Sequence, residues 1–148
     1  MATKSAKKTA PKKAAKVFSA DELDAMQEAK RERKKGSANG EADVLAKIKA
    51  MKGSDRQMAE KIHAIVKTVA PNLAPKTWYG MPAYAGADGK ALCYFTPAAR
   101  FKSRYATFGF NGEAKLDDGN MWPTSFALTK IGDADEKRIA ALVKKAVG

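Results

Sequence analysis

The chain has few of the side chains that build catalytic and metal centres. Among its 148 residues it carries one cysteine, Cys93, and one histidine, His63. A lone cysteine excludes an intrachain disulfide bond, which fits a reducing cytosol. The sequence contains no zinc-ligand spacing, no Ser/His/Asp set and no glycine-rich phosphate loop. With one histidine and one cysteine, the chain offers few general acids and bases besides its carboxylates. An enzyme is therefore the least supported class of function.

Long apolar runs are also missing. No stretch of about 18 apolar residues occurs, so we expect no transmembrane helix and no membrane partner. The first residues carry lysines, but they have neither the apolar core of a signal peptide nor the arginines of a transit peptide. We therefore expect a cytoplasmic protein, a monomer or a weak dimer. The apolar content of 45% is enough for the core of one ordinary domain with extensions.

The net charge of +12 is unevenly distributed along the chain. Residues 1–16, called the basic tail below, hold six lysines and no acidic residue. Residues 17–40 hold five basic and five acidic residues, and residues 41–148 hold 17 basic and 11 acidic residues. Half of the positive excess therefore lies in a short terminal segment.

The basic tail has almost nothing to bury and repels itself, so we expect it to be disordered. Lysines in such a tail neutralise phosphates without sequence preference, which makes nucleic acid one candidate partner. The alternative is a solubilising tail with no dedicated partner. The candidate nucleic-acid residues are Lys4, Lys7, Lys8, Lys12, Lys13 and Lys16.

Residues 17–40 are predicted to form an extra helix followed by a flexible linker. Ser19 and Glu22 have the spacing of a capping box, and basic residues at 33–35 suit the helix C-terminus. The apolar face of this helix is thin, so we expect it to pack weakly or to stand off the domain. Glycine, serine and asparagine at 36–40 predict the linker.

Residues 41–148 are predicted to form an α+β domain. Apolar residues on one helical face predict helices over 41–52, over 54–70 and from 133 onwards. Alternating patterns and turn residues predict strands over 77–84, 90–96, 104–110 and 125–129. The expected fold is an antiparallel sheet of about four to five strands, covered by N- and C-terminal helices.

The segment 77–84 has the most unusual composition in the chain. Trp78 and Tyr79 favour a half-buried pleated surface, and Gly80 permits a bend. Pro82 cannot donate a hydrogen bond to a neighbouring strand, so we do not expect a central strand. We expect either an edge strand that bends near Gly80 or a strand that enters a shaped loop. The rings either close the core or line a pocket; the sequence leaves both open.

Several motifs around this segment resemble one known family. They are the run Trp78-Tyr79-Gly80-Met81-Pro82-Ala83-Tyr84, the pair Gly89-Lys90 with the strand through Tyr94-Phe95, and the runs Arg104-Tyr105-Ala106-Thr107-Phe108-Gly109-Phe110 and Met121-Trp122-Pro123. Over residues 41–148 the chain is similar to the YdhG-like family (DUF1801). The resemblance implies a frataxin-related, YjbR/CyaY-like α+β fold and, from some members, an iron-chaperone role.

Two functions follow as hypotheses. The first is a non-enzymatic binding protein whose ligand is iron or a small anion. Lysines surround Glu41, Asp55 and the neighbouring carboxylates and oppose the binding of a cation such as iron, so the cofactor stays unknown. Its candidate ligand-binding residues are Trp78, Tyr79, Gly80, Met81, Pro82, Tyr84, Lys90, Phe95 and Arg104. The second is nonspecific association with nucleic acid through the basic tail, extended by basic and aromatic residues on the sheet. Those sheet residues have an alternative interpretation as an ordinary solvated face.

The two rare residues are interpreted as structural. His63 flanks the apolar stripe of the third predicted helix and has no partner at a fixed spacing, so we expect a structural or exposed histidine. Cys93 lies within a predicted strand and has no cationic neighbour in sequence, so we expect a packed thiol.

Overall fold

The computed structural model describes residues 19–35 and 40–148. The basic tail, with its six candidate lysines, lies outside the described residues, and so does the linker at 36–39. The disorder of the tail and the flexibility of the linker therefore stay predictions.

The described chain forms helices at both ends of a five-stranded antiparallel sheet, which confirms the α+β class. The helices are α1 (Ala20–Lys35), α2 (Gly40–Ala50), α3 (Gly53–Val69) and α4 (Asp133–Val147). The strands are β1 (Ala74–Trp78), β2 (Met81–Ala85), β3 (Ala91–Thr96), β4 (Ala106–Phe110) and β5 (Ser125–Leu128), with a short 3-10 helix at Ala98–Phe101. No helix in this described part of the chain is long and apolar enough to cross a membrane.

The strands follow one another in the order β1-β2-β3-β4-β5, so each one pairs with its neighbour in sequence. The prediction of one bent strand over 77–84 was wrong. Tyr79 and Gly80 both have positive φ angles, 53° and 78°, and they form a two-residue turn between β1 and β2. Positive φ at both central residues matches the right-handed twist of a hairpin.

The expectation that Pro82 lies outside a central strand was also wrong, because Pro82 lies in β2, which pairs with β1 on one side and β3 on the other. It is the second residue of the strand and is paired with Thr77. The pairing of β2 with β3 begins one residue later, at Ala83 and Tyr94. The missing N–H of Pro82 therefore falls at the end of the ladder, where a proline is tolerated in a central strand.

The core lies between one face of the sheet and the helices α2, α3 and α4. Cross-strand pairing places Tyr84 beside Cys93 and Phe95 beside Phe108, all on this face, and all four are fully buried. Helix α3 contributes Met58, Ile62 and Val66, and α4 contributes Ile139 and Val143. Cys93 is thus packed in the core, and burial raises the pKa of its thiol to about 12.

On the opposite face of the sheet, Trp78, Tyr94 and Gly109 form a cross-strand group. The ring centroids of Trp78 and Tyr94 are 5.0 Å apart. Tyr94 pairs with Gly109, and a Cβ atom at Gly109 would overlap the Tyr94 ring. A glycine at this position therefore leaves the space that the tyrosine ring occupies.

Helix α1 contacts the domain near the β1–β2 turn. Its N-terminus has the predicted capping box, since the Ser19 N–H donates to Glu22 and the Glu22 N–H donates to the Ser19 hydroxyl, over 2.8 and 3.2 Å. Ala25 and Ala29 are buried against β1 and the 3-10 helix, one turn apart on one face. The helix therefore packs through small residues. It contacts the domain although its apolar face carries few large side chains.

Candidate functional site

Two aromatic rings project at the end of β1. The rings of Trp78 and Tyr79 meet edge to face, with centroids 5.0 Å apart and planes 83° apart. Trp78 also contacts Tyr94 on the outer face of the sheet, which holds its orientation. Tyr79 is 38% exposed. The rings therefore form a partly open aromatic wall with polar O–H and N–H groups at its edges.

An open groove of about 760 Å³ follows β1, and this is called the β1 groove below. Residues of β1 line its length, Trp78 and Tyr79 stand at one end, and Lys90 and Glu113 stand at the other. Ala29 and Glu32 of α1 form part of the wall. Much of the remaining lining is polar and of both charge signs, including Asp43, Lys76 and Asn111. The volume of the groove falls within the range of small-molecule sites.

The far end of the groove carries accessible positive charge. The Lys90 side chain is 70% exposed, and its Nζ is 4.0 Å from a Glu113 carboxylate oxygen. The Lys76 Nζ donates to the Gly89 carbonyl oxygen over 3.2 Å. Asn111 is held by a 2.9 Å hydrogen bond from its side-chain amide to the Ala91 carbonyl oxygen. An exposed ion pair this long is worth little, so the Lys90 ammonium is available to an anion.

At the aromatic end, the backbone of the β1–β2 turn binds a carboxylate. The N–H groups of Tyr79 and Gly80 donate to the two oxygens of Glu32, over 2.9 and 2.8 Å. An Arg100 guanidinium nitrogen donates to the Tyr79 carbonyl oxygen over 3.4 Å. A second glutamate of α1, Glu28, pairs with Lys47, and this hydrogen bond lowers the pKa of Glu28.

The predicted ligand-binding residues divide into three sets. Trp78, Tyr79 and Lys90 line the β1 groove. Gly80 forms the turn beside it, and Arg104 is exposed with its guanidinium 5.3 Å from the centroid of the Tyr105 ring. The remaining four are buried: Met81, Pro82, Tyr84 and Phe95. Both interpretations of the segment 77–84 thus apply, because its rings divide between the groove and the core.

Sequence reasoning missed Glu32, which takes part in the site from 47 and 48 residues away. Its signal is the spacing of Ala25, Glu28, Ala29 and Glu32, which places two small and two acidic residues on one helical face. A face of alanines lets a helix approach a backbone closely, and acidic residues beside it select a partner with free N–H groups or cations.

His63 has partners that are distant in sequence. Its Nδ1 lies 2.9 Å from the Tyr84 hydroxyl and its Nε2 lies 3.0 Å from a Glu41 carboxylate oxygen. Lys67 donates to the other Glu41 oxygen over 3.1 Å, and the hydrogen bonds from Lys67 and His63 lower the pKa of Glu41. Burial raises the pKa of Tyr84. The chain of hydrogen bonds ends at this buried hydroxyl, so it links α2, α3 and β2 and does not open into the groove.

No candidate metal centre was found in the described ranges, 19–35 and 40–148. Within them, no three or more His, Cys, Asp or Glu side chains are grouped closely enough to hold a metal ion. Asp55 is 8% exposed, and its two oxygens accept the N–H groups of Ala98 and Ala99 over 2.9 and 3.1 Å. This carboxylate caps the 3-10 helix that carries Arg100.

The chain was also compared with protein-family models, with curated proteins and with solved structures. None of them matched it.

Proposed function

We propose that this chain is a non-enzymatic binding protein of the YdhG-like family, and that its β1 groove binds a small organic anion with a flat apolar part. The observation that carries the proposal is the placement of Trp78 and Tyr79 at one end of an open groove and of Lys90 at the other. Rings and charge at the two ends suit a ligand that stacks with one end and forms an ion pair with the other.

The balance of donors favours an organic anion over iron as the ligand. Iron(II) is held by imidazole and carboxylate groups that converge on one point. Three carboxylates line the groove, those of Glu32, Asp43 and Glu113, but they are not grouped closely enough to hold a metal ion among the described residues. Glu32 already accepts two backbone N–H groups, and Glu113 lies beside Lys90. A cation would have to displace these partners, whereas an organic anion that reaches Lys90 and the rings displaces only a long, exposed ion pair. The iron-chaperone role implied by the family resemblance is therefore the competing proposal.

Benzoate is a suitable first probe, because it joins a ring to a carboxylate. The experiment follows the amide resonances of the labelled full-length chain during a titration with benzoate, with benzamide as the neutral analogue. We expect saturable shifts at Trp78, Tyr79 and Lys90, and smaller ones with benzamide. The absence of saturable shifts up to the solubility limit of benzoate would contradict the proposal.

A matched pair of lysine variants tests the ion pair. Lys90→Met should weaken benzoate binding about two- to fivefold, the value of an exposed ion pair. Lys137→Met removes an exposed lysine on α4, a helix that contributes no residue to the groove lining, and should leave the affinity unchanged. Equal effects of both changes would show a response to net charge only. A parallel anaerobic Fe(II) titration that saturates at one patch, with no response to benzoate, would favour the iron role.

A further inference from the structure

The β1–β2 turn presents two adjacent N–H groups in an uncommon backbone conformation. Tyr79 has a φ of 53°, a region that glycine, asparagine and aspartate enter far more readily than tyrosine. Both N–H groups of the turn point at one carboxylate, and each bonds to a different oxygen of it. A pair of amides spaced in this way matches the two oxygens of a carboxylate or a phosphate.

Arg100 places a cation beside this turn, where the side chain of Glu28 also lies. Its Nε is buried and has no hydrogen-bond partner among residues 19–35 and 40–148. One terminal nitrogen lies 3.4 Å from the position that a Cβ on Gly80 would take. The guanidinium is thus next to the turn and is held there by the 3-10 helix that Asp55 caps. A buried donor without a partner is uncommon in proteins and marks a place where an acceptor would be stabilised.

The carboxylate in this place comes from α1, a helix that buries little apolar surface on the domain in the part of the chain that the structure describes. Besides Glu32, α1 contributes the buried residues Ala25 and Ala29 and the pairing of Glu28 with Lys47. Two buried alanines supply little apolar area compared with the core helices. Only four residues of sequence, 36–39, join α1 to α2. Glu32 therefore acts as a tethered ligand at a high local concentration, one that an external anion can compete with.

We propose that the amides of Tyr79 and Gly80, with Arg100, form an oxyanion subsite at the aromatic end of the β1 groove, which Glu32 occupies until an acidic ligand displaces it. The ligand class is a carboxylate, because the two amides engage the two oxygens of one carboxylate, and a ligand that fills the subsite and also pairs with Lys90 carries a second anionic group. The proposal deepens the proposed function and rests on it for the role of the groove. It also makes α1 a competitive gate, since ligand binding and α1 docking use the same donors.

Acetate tests the subsite separately from the groove, because it carries a carboxylate and no ring. The measurement is the shift of the Tyr79 and Gly80 amide resonances during an acetate titration of the wild-type chain and of Glu32→Ala. We expect at least about tenfold tighter acetate binding in Glu32→Ala, because the tethered competitor is gone. The control Glu60→Ala removes an exposed carboxylate of α3 and should behave as the wild type does.

Two further variants settle the roles of the partners. Adding Arg100→Met to Glu32→Ala should reverse most of the gain in acetate affinity. Glu32→Gln keeps the shape of the side chain without its charge, and this variant should bind acetate with intermediate affinity. It replaces Glu32→Ala in the comparison if the alanine variant does not fold. Acetate affinity that stays equal in wild type, Glu32→Ala and Glu32→Gln would overturn the subsite. Acetate binding that Glu32→Ala strengthens, together with benzoate binding that Lys90→Met does not weaken, would leave the subsite standing and remove the role of the groove. Benzoate binding that needs Lys90, together with acetate binding that Glu32→Ala leaves unchanged, would do the opposite.

Discussion

Replacing Asp55 by alanine should destabilise the fold by about 2–3 kcal/mol. Hydrogen bonds to charged groups contribute roughly 1.5–3 kcal/mol each, and this change removes two of them. The total loss is smaller than the sum because water hydrates one of the two freed N–H donors. Asp55 is 8% exposed and accepts N–H groups from Ala98 and Ala99. Ala99 is exposed, so water replaces the carboxylate there, whereas Ala98 is only partly exposed. Most of the loss therefore comes from the Ala98 bond and from the freed start of the 3-10 helix.

Urea unfolding followed by tryptophan fluorescence measures this loss. With a slope of about 2 kcal/mol per molar urea, the expected shift of the midpoint is roughly 1 M or slightly more. Asp55→Asn retains one acceptor and should lie between the wild type and Asp55→Ala. Glu60→Ala, on the exposed face of the same helix, should change the stability by less than about 0.5 kcal/mol. An Asp55→Ala midpoint that matches the one for Glu60→Ala would refute the assigned role of the buried carboxylate.

Four other predictions follow. Gly109→Ala should destabilise the fold by about 1–3 kcal/mol, since the new methyl group must push the Tyr94 ring away. Urea unfolding measures this loss of stability, and an unchanged stability would contradict the close contact. Lys47 lowers the pKa of Glu28 below its ordinary 4.5, so this pair stabilises α1 docking above that pH and the contribution is lost as the pH falls through the lowered pKa. The protection factors of the α1 amides, which are corrected for the intrinsic pH dependence of exchange, should therefore fall on acidification, and Lys47→Met should weaken that dependence. The Cys93 thiol, whose pKa burial raises to about 12, should react with a disulfide reagent only after unfolding; rapid reaction of the native chain would contradict its burial. Deleting the basic tail should abolish most salt-sensitive binding to DNA, measured by fluorescence anisotropy; unchanged binding would exclude the tail as its source.

The fold class could be predicted from the sequence because its signals are local. Apolar spacing indicated the helices, and the Ser19–Glu22 capping box was confirmed at the start of α1. The β1–β2 hairpin was missed because the usual signal for a two-residue turn is Asn-Gly or Asp-Gly, and here a tyrosine takes the first place. The wrong expectation for Pro82 followed from the same error, since the strand was assumed to continue through the turn.

The candidate site could be predicted only in part, since it depends on contacts between distant residues. Trp78, Tyr79 and Lys90 were predicted because aromatic residues next to a glycine and a lysine stand out in the sequence, and all three line the β1 groove. Their role in binding a ligand stays a prediction. Glu32 and the partners of His63 are separated from the groups they bind by 21 to 48 residues. No local pattern determines such pairs; they follow from how α1 and α2 pack on the sheet.

The most direct test of the binding account uses the variant Trp122→Phe, which leaves Trp78 as its only tryptophan, because the chain has two. Its fluorescence is followed during a titration with benzoate, and Trp78→Phe, which retains Trp122, is the control. The account predicts a saturable change in Trp122→Phe and none in Trp78→Phe. A Trp78 signal that stays constant, or that changes in the same way in both variants, would contradict a ligand site in the β1 groove.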